Sequence, residues 1–248
     1  MIIDVWKSLT IVMSAVLIIT LITPVITGLF TFTPATSFSD ELNCEQGKCV
    51  ELFVMSHCPY GTQAEKGVLP AVQALGDDID FKLRFVYYAM HGKTELDEQL
   101  NQYCIQYQQP SKFIDYLYCF LDEGDGEGCL NEVGVNTQLL SSCVEQSDEA
   151  FNVTALFNDR SSWLSGYYPR FNVHLSLNEQ YGVRGSPTLV VNGQQVQPSS
   201  RSPQGFLDAI CNALGTNPSG CDESLSTTAP SSGFGFSGTG SASTATCG

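Results

Sequence analysis

The stretch "FVMSHCPYGTQAE", Phe53 to Glu65, holds the residues best suited to chemistry. The apolar run "VELFVMS", residues 50–56, reads as a buried strand, and Pro59 suits the first position of a helix. Cys58 thus stands at a helix N-terminus, where unpaired amides and the helix dipole favour an anion. Such a setting lowers a thiol pKa from about 8.5 to as little as roughly 3.5–7.5, which makes the thiolate an available nucleophile. His57 could add positive charge beside it, while Pro59, Tyr60 and Gly61 shape the turn. A mixed disulfide formed by Cys58 needs a second thiol to resolve it, either an external thiol, as in isomerisation or glutathione-type exchange, or another cysteine of this chain. The usual Cys-x-x-Cys spacing would put that thiol at position 61, where this chain has glycine.

The flanking elements must position this loop. "TQAEKGVLPAVQAL" reads as a helix reaching Gly76, with a kink expected at Pro70, and "DFKLRFVYY" (80–88) alternates as a strand does. Residues 94–166 change to helical periodicity, which predicts an insertion of about four helices, with a further short helix after Pro169. "SPTLVVNGQQV" (186–196) returns to strand, and Asn192-Gly193 is a type I′ hairpin signal. "SPQGFLDAICNAL" (202–214) is a final helix with Ser202 as N-cap and Pro203 at its first position.

This order, β-α-β, helical insertion, β-β-α, resembles the thioredoxin plan, and the chain resembles the DsbA-like superfamily over residues 50–214. Cys58 after the first strand and "GVRGSPTLVVNG" (Gly182–Gly193) carry the likeness. The resemblance implies a cis peptide bond before Pro187, and a Ser186-Pro187-Thr188 loop that lies against the reactive sulfur and pairs with the substrate backbone. "AMHGKTELDEQ" is similar to the signature of the gamma-interferon-inducible lysosomal thiol reductase group at His91, Gly92 and Glu95; Ala89, Met90, Leu96 and Gln99 depart from it. Read as residues alone, His91 and Glu95 form an i,i+4 pair that caps a helix start. Trp163, Tyr167 and Tyr168 suit core packing or cover of the site.

Ten cysteines in 248 residues favour disulfides in an oxidising compartment over zinc, since tight CxxC pairs are missing. Proximity suggests Cys44 with Cys49, Cys119 with Cys129, Cys211 with Cys221, and Cys104 with Cys143 as a staple inside the insertion, although spacing alone leaves other pairings open. Cys44 and Cys49 precede the first strand, so its length separates them from Cys58 by roughly 20 Å. Cys247 remains as a candidate resolving thiol on a tail of 26 residues from Asp222, whose flexible span is about 30 Å.

A net charge of −15 excludes nucleic acid as a partner, because phosphate binding needs clustered Lys and Arg. Between Ser8 and Ser39 no residue is charged, and the apolar run is long enough for a membrane helix over residues 8–32. The expected organisation is therefore a signal anchor (1–39), a linker (40–49), an α/β thioredoxin-like domain (50–221) and a disordered Ser/Thr/Gly-rich tail (222–248). No cofactor or metal motif appears. The expected activity is that of a membrane-anchored thiol–disulfide oxidoreductase or isomerase acting through the single thiol of Cys58 on cysteine-containing secreted proteins or peptides outside the cytoplasm, with a membrane redox partner by family analogy. The alternative is a non-catalytic polypeptide-binding or assembly module.

Overall fold

The computed structural model describes residues 43–236, so the span at 8–32 and Cys247 lie outside the described residues. Among the described residues no helix is long and apolar enough to cross a membrane. A four-stranded sheet forms the centre, in the order β2-β1-β3-β4. Strand β1 (Cys49–Val54) starts at the last residue of the expected linker and is buried along its whole length. It pairs parallel with β2 (Asp80–Phe85) and antiparallel with β3 (Thr188–Val191), which turns into β4 (Gln194–Val196). Asn192 and Gly193 take φ of 48° and 79°, the two positive angles of the expected type I′ turn.

A central strand buried on both faces should be apolar throughout. Glu51 breaks that pattern, and its Oε1 accepts from Arg84 Nε at 2.8 Å, with both side chains almost wholly buried. Removing either partner would strand a buried charge, so the pair acts as a register pin between β1 and β2.

Helix α1 (Pro59–Leu75) connects β1 to β2 and continues through Pro70 to Gly76. It packs on α8 (Pro203–Leu214), whose N-cap is Ser202 accepting from the Gly205 amide at 3.1 Å. The approach is close at Gly67, where an added Cβ would run into the Arg201 carbonyl oxygen and lie 2.9 Å from the Phe206 ring. The insertion has five helices, one more than its periodicity suggests, because Gly124 and Gly134 break it into additional pieces. They are α2 (Gly92–Gln108), α3 (Pro110–Glu123), α4 (Gly126–Val133), α5 (Thr137–Phe151) and α6 (Val153–Asn158). A short α7 (Leu175–Tyr181) leads back to the sheet.

Four disulfides adopt the pairing expected from proximity. Cys104–Cys143 ties α2 to α5, Cys119–Cys129 ties α3 to α4, Cys211–Cys221 ties α8 to the chain beyond it, and Cys44–Cys49 closes the loop before β1. The start of the tail departs from expectation. Residues 223–236 are not a disordered segment but lie across α1, α3 and α8 through specific hydrogen bonds. Average composition misses this, because a few anchors suffice: Leu225 and Phe234 pack on the core and a buried lysine binds the backbone.

Candidate active site

Cys58 is the N-cap of α1, with extended φ and ψ of −68° and 123°, and Pro59 follows at the first helical position. Its carbonyl accepts from the Thr62 amide at 2.9 Å, so the helix is in register from its first turn. The amides of Tyr60 and Gly61 belong to that turn, which has no acceptors within the helix. The sulfur is fully buried in a small apolar group with Phe53, Met55, Val86, Tyr88 and Val190, against which Leu164 and Tyr168 pack.

The loop leading into Cys58 is pinned donor by donor. Met55 N donates to Ser186 Oγ at 2.9 Å, Ser56 N to Gln99 Oε1 at 3.3 Å, and His57 N to Glu95 Oε1 at 3.1 Å. Cys58 N donates to the Met55 carbonyl at 3.0 Å. Four consecutive amides are thus satisfied, two of them by α2, as buried backbone donors require. Sequence reasoning missed Gln99, and it assigned Glu95 only to capping.

Glu95 is the hub of this arrangement. Its Oε2 accepts from Met90 N at 2.7 Å and His91 N at 3.1 Å, and its Oε1 lies 2.8 Å from His91 Nδ1. Burial pushes this carboxyl up, but the bonds from His91 and from the two amides outweigh it and hold the group below the usual carboxylate range. The positions shared with the lysosomal thiol reductase signature therefore have a structural duty here: His91 and Gly92 start α2, and Glu95 clamps the loop.

His57 packs among aromatic rings. Its ring is edge-on to Phe120 at 5.7 Å and to Phe234 at 5.8 Å between centroids, and Nδ1 is 3.1 Å from Ser56 Oγ. Burial lowers its pKa, opposed by nearby Glu95. Tyr60 is exposed, with the Arg201 guanidinium 4.9 Å over its ring.

Opposite Cys58 lies the loop before β3. The Ser186–Pro187 peptide bond is cis, and the Ser186 carbonyl oxygen is 4.0 Å from Cys58 Sγ. Thr188 Oγ1 donates to the Gly185 carbonyl at 2.8 Å, which closes the loop on itself. A groove of about 510 Å³ begins at Pro187 and Thr188 and is bounded by Gln195, Ser200, Arg201 and Phe206. Trp163 is not part of the site: it caps its own turn, with Arg160 3.9 Å over the ring and Nε1 bonded to the Phe157 carbonyl. Tyr168 packs on Tyr88 beside Cys58, while Tyr167 is exposed.

Gly61 has a local explanation. A Cβ there would lie 2.7 Å from Ser186 Oγ, 2.9 Å from the Met55 carbonyl oxygen and 3.3 Å from Cys58 Cβ. The place a second motif cysteine would take is filled by the serine hydroxyl.

No protein-family model and no curated protein matches the chain. Solved structures do. A thioredoxin-like oxidoreductase from Silicibacter pomeroyi DSS-3 is 20% identical with a TM-score of 0.46, over 72% of this chain and 96% of that one. Reduced DsbA from Mycobacterium tuberculosis is 16% identical with a TM-score of 0.48, over 74% and 92%. The reduced disulfide bond oxidoreductase DsbG of the same organism is 17% identical with a TM-score of 0.45, over 73% and 87%. The chain's own topology is thioredoxin-like: a sheet in the order β2-β1-β3-β4, with β1 and β2 parallel and joined by α1, and the antiparallel pair β3-β4 followed by α8. Within that fold, Cys58 at the head of α1 and the cis-proline loop face each other across the end of β1.

Proposed function

We propose that the protein is a thiol–disulfide oxidoreductase acting on protein cysteines, with Cys58 as nucleophile and the Ser186-Pro187-Thr188 loop as the wall against which the substrate strand lies. The observation that carries this reading is the 4.0 Å approach of Cys58 Sγ to the Ser186 carbonyl, at the N-terminus of a helix whose preceding loop is fixed amide by amide. First-turn amides favour the thiolate, both as attacking group and as leaving group. Apolar Leu164 and Tyr168 beside the sulfur suit an unfolded polypeptide rather than a small charged thiol. The uncharged run from Ser8 to Ser39 supports an anchor through residues 8–32, and the four disulfides support an oxidising, extracytoplasmic setting. A membrane redox partner would then regenerate the site.

One observation favours a second reading, a non-catalytic polypeptide-binding module: Cys58 is itself disulfide-bonded. Graded reduction with a dithiol separates the two. A redox-active bond at Cys58 opens before the four other disulfides, and its thiolate then alkylates well below the ordinary thiol pKa of about 8.5. If the Cys58 bond is the last to open, or alkylation begins only above that pH, the module reading holds. Cys58→Ser supplies the control.

A further inference from the structure

Charge is spread unevenly along this chain. In a protein of net charge −15, residues 160–207 carry Arg160, Arg170, Arg184 and Arg201 against a single acid, Glu179. Residues 110–159, which contain α3 to α6, reverse the ratio, with Lys112 among ten acids. The basic segment is the one that holds the Ser186-Pro187-Thr188 loop.

Three of these arginines stand beside that loop. Arg184 precedes Ser186 by two residues, and its carbonyl accepts at 3.2 Å from the hydroxyl of Tyr88, a member of the apolar group around Cys58. The Arg184 side chain is exposed and, among the described residues, makes no hydrogen bond or ion pair. Arg170 forms a β-bridge with Tyr88, and its Nε donates to the Ser162 carbonyl at 2.9 Å, which engages one of its five donors. Arg170 and Arg184 line a cavity of about 290 Å³ together with Tyr87, Asn178, Glu179 and Gly182. On the other side of Ser186, Arg201 borders the groove of about 510 Å³ that begins at Pro187 and Thr188. Its Nη1 donates to Gln63 Oε1 at 3.0 Å and its guanidinium lies 4.9 Å over the Tyr60 ring, so it too is held in place by one of five donors. The two cavities share no lining residue, and no acid lines the groove.

The acids near the loop do not cancel this charge. Glu95 is fully buried, and its carboxylate is already engaged by His91 and by backbone amides. Glu179 is exposed and, among the described residues, forms no ion pair with Arg170 or Arg184. At physiological ionic strength exposed charges more than about 8 Å apart are largely screened. The arginines lining the loop's own cavities therefore outweigh acids that line neither.

We propose that Arg184 and Arg201, with Arg170 beside the first, make this site selective for polypeptides that carry Asp or Glu on both sides of the reacting cysteine. The inference rests on the reading of Cys58 as nucleophile and of the cis-proline loop as substrate wall, and it names the substrate class of that site. A strand laid along Ser186-Pro187-Thr188 meets Arg184 and Arg170 toward one end and Arg201 toward the other. A guanidinium suits this task, because its planar donors pair with a carboxylate in a bidentate manner. The same rim speeds the encounter with acidic segments, an effect that salt weakens.

The test uses the full chain with the Cys58 bond opened and the four other disulfides intact. Three peptides of one length carry a central cysteine bonded to 2-nitro-5-thiobenzoate, with Asp, Asn or Lys at matched positions on either side. The Cys58 thiolate attacks the peptide sulfur, forms a Cys58–peptide disulfide and expels the thionitrobenzoate thiolate, whose lower pKa makes it the better leaving group. One disulfide is exchanged for another, and the absorbance of the released thiolate gives the rate. An exposed charge pair is worth about 1.4- to fivefold, so two pairs place the Asp peptide about two- to 25-fold above the Asn peptide, with the Lys peptide below both. This advantage should shrink as salt is raised. Arg184→Gln with Arg201→Gln should bring the Asp-to-Asn ratio close to one, and the ratio cancels any effect of the arginines on the thiol itself. Arg184→Gln alone, at an exposed side chain, should remove about half of the advantage on a logarithmic scale. Arg184→Lys with Arg201→Lys keeps the charges and should retain the preference. Equal rates for the three peptides, a preference for Lys, an Asp preference that survives both glutamine substitutions, or its loss in the lysine variant overturns the proposal and leaves Cys58 as the nucleophile. If no peptide forms a disulfide with Cys58, the underlying reading falls as well.

Discussion

Replacing Gly61 with alanine tests whether the fourth motif position is closed by packing. Gly61 lies in the first turn of a 17-residue helix, where alanine should stabilise by up to about 1 kcal/mol on propensity alone. The structure reverses that sign. The new Cβ would meet Ser186 Oγ at 2.7 Å and the Met55 carbonyl oxygen at 2.9 Å, and backbone oxygen cannot swing aside. Ser186 Oγ is not free to move either, because it accepts the Met55 amide at 2.9 Å, and a stranded amide costs about 1–3 kcal/mol. Overpacking of this kind costs about 1–3 kcal/mol, so the net expectation is a loss of about 2 kcal/mol, or roughly 4–8 °C in Tm for a domain of this size. The assay is urea unfolding of the oxidised protein at fixed pH, beside Ser186→Ala and the double variant. Both single variants disturb the same Met55–Ser186 contact, so the double variant should lose about 1 kcal/mol less than their sum. A Gly61→Ala protein as stable as the parent would refute the packing account, as would strict additivity.

Other predictions concern buried carboxylates. Burial raises Glu98 to about 7, even though it accepts from Gln102 and Tyr116. Because its folded pKa lies above the ordinary 4.5, the folded state binds the extra proton, and stability falls as pH rises from 4.5 to 7. The loss is on the order of 3 kcal/mol, and urea midpoints across this range should be flatter in Glu98→Gln; an unchanged slope would sink the assignment. Glu65, fully buried beside it, is raised by the same cause and adds a slope of the same sign. Glu95 has the opposite sign: its pKa is depressed, so its contribution is present above the ordinary carboxylate range and is lost as pH falls through its folded value. Glu95→Gln puts an amide N–H against backbone donors and should cost about 1–3 kcal/mol at pH 7, with the difference from the parent shrinking in acid. A constant difference across pH would contradict the clamp.

Much of the fold was legible because its signals are local. The Asn192-Gly193 turn, the Ser202 cap, the strand before Cys58 and the short-range disulfides each depend on residues close in sequence. Cys104–Cys143 was legible because both residues lie on periodic helical segments of one insertion. The site was legible only in part, for the converse reason. Cys58, Ser186 and Pro187 declare themselves by type, but Glu95 and Gln99 act on the loop from 38 and 43 positions away. Nothing in a Glu or Gln on a helix says which amide it will meet. The burial of His57 was not legible, because the rings beside it, Phe120 and Phe234, arrive from α3 and the tail. The tail itself is polar on average, and averaging conceals that Lys66 needs three acceptors and finds them there.

That last pairing holds the strap Pro230–Phe236 against α1. An ammonium buried without acceptors would cost several kcal/mol, so Lys66 can stay inside α1's packed face only while the strap supplies its oxygens. Undocking exchanges three charge-assisted bonds for bonds to water, and the net loss per bond is about 1.5–3 kcal/mol. Phe234, half-buried between Phe120 and His57, adds an apolar share of the same order. Docking of Pro230–Phe236 is therefore favoured by the polar and the apolar contacts together.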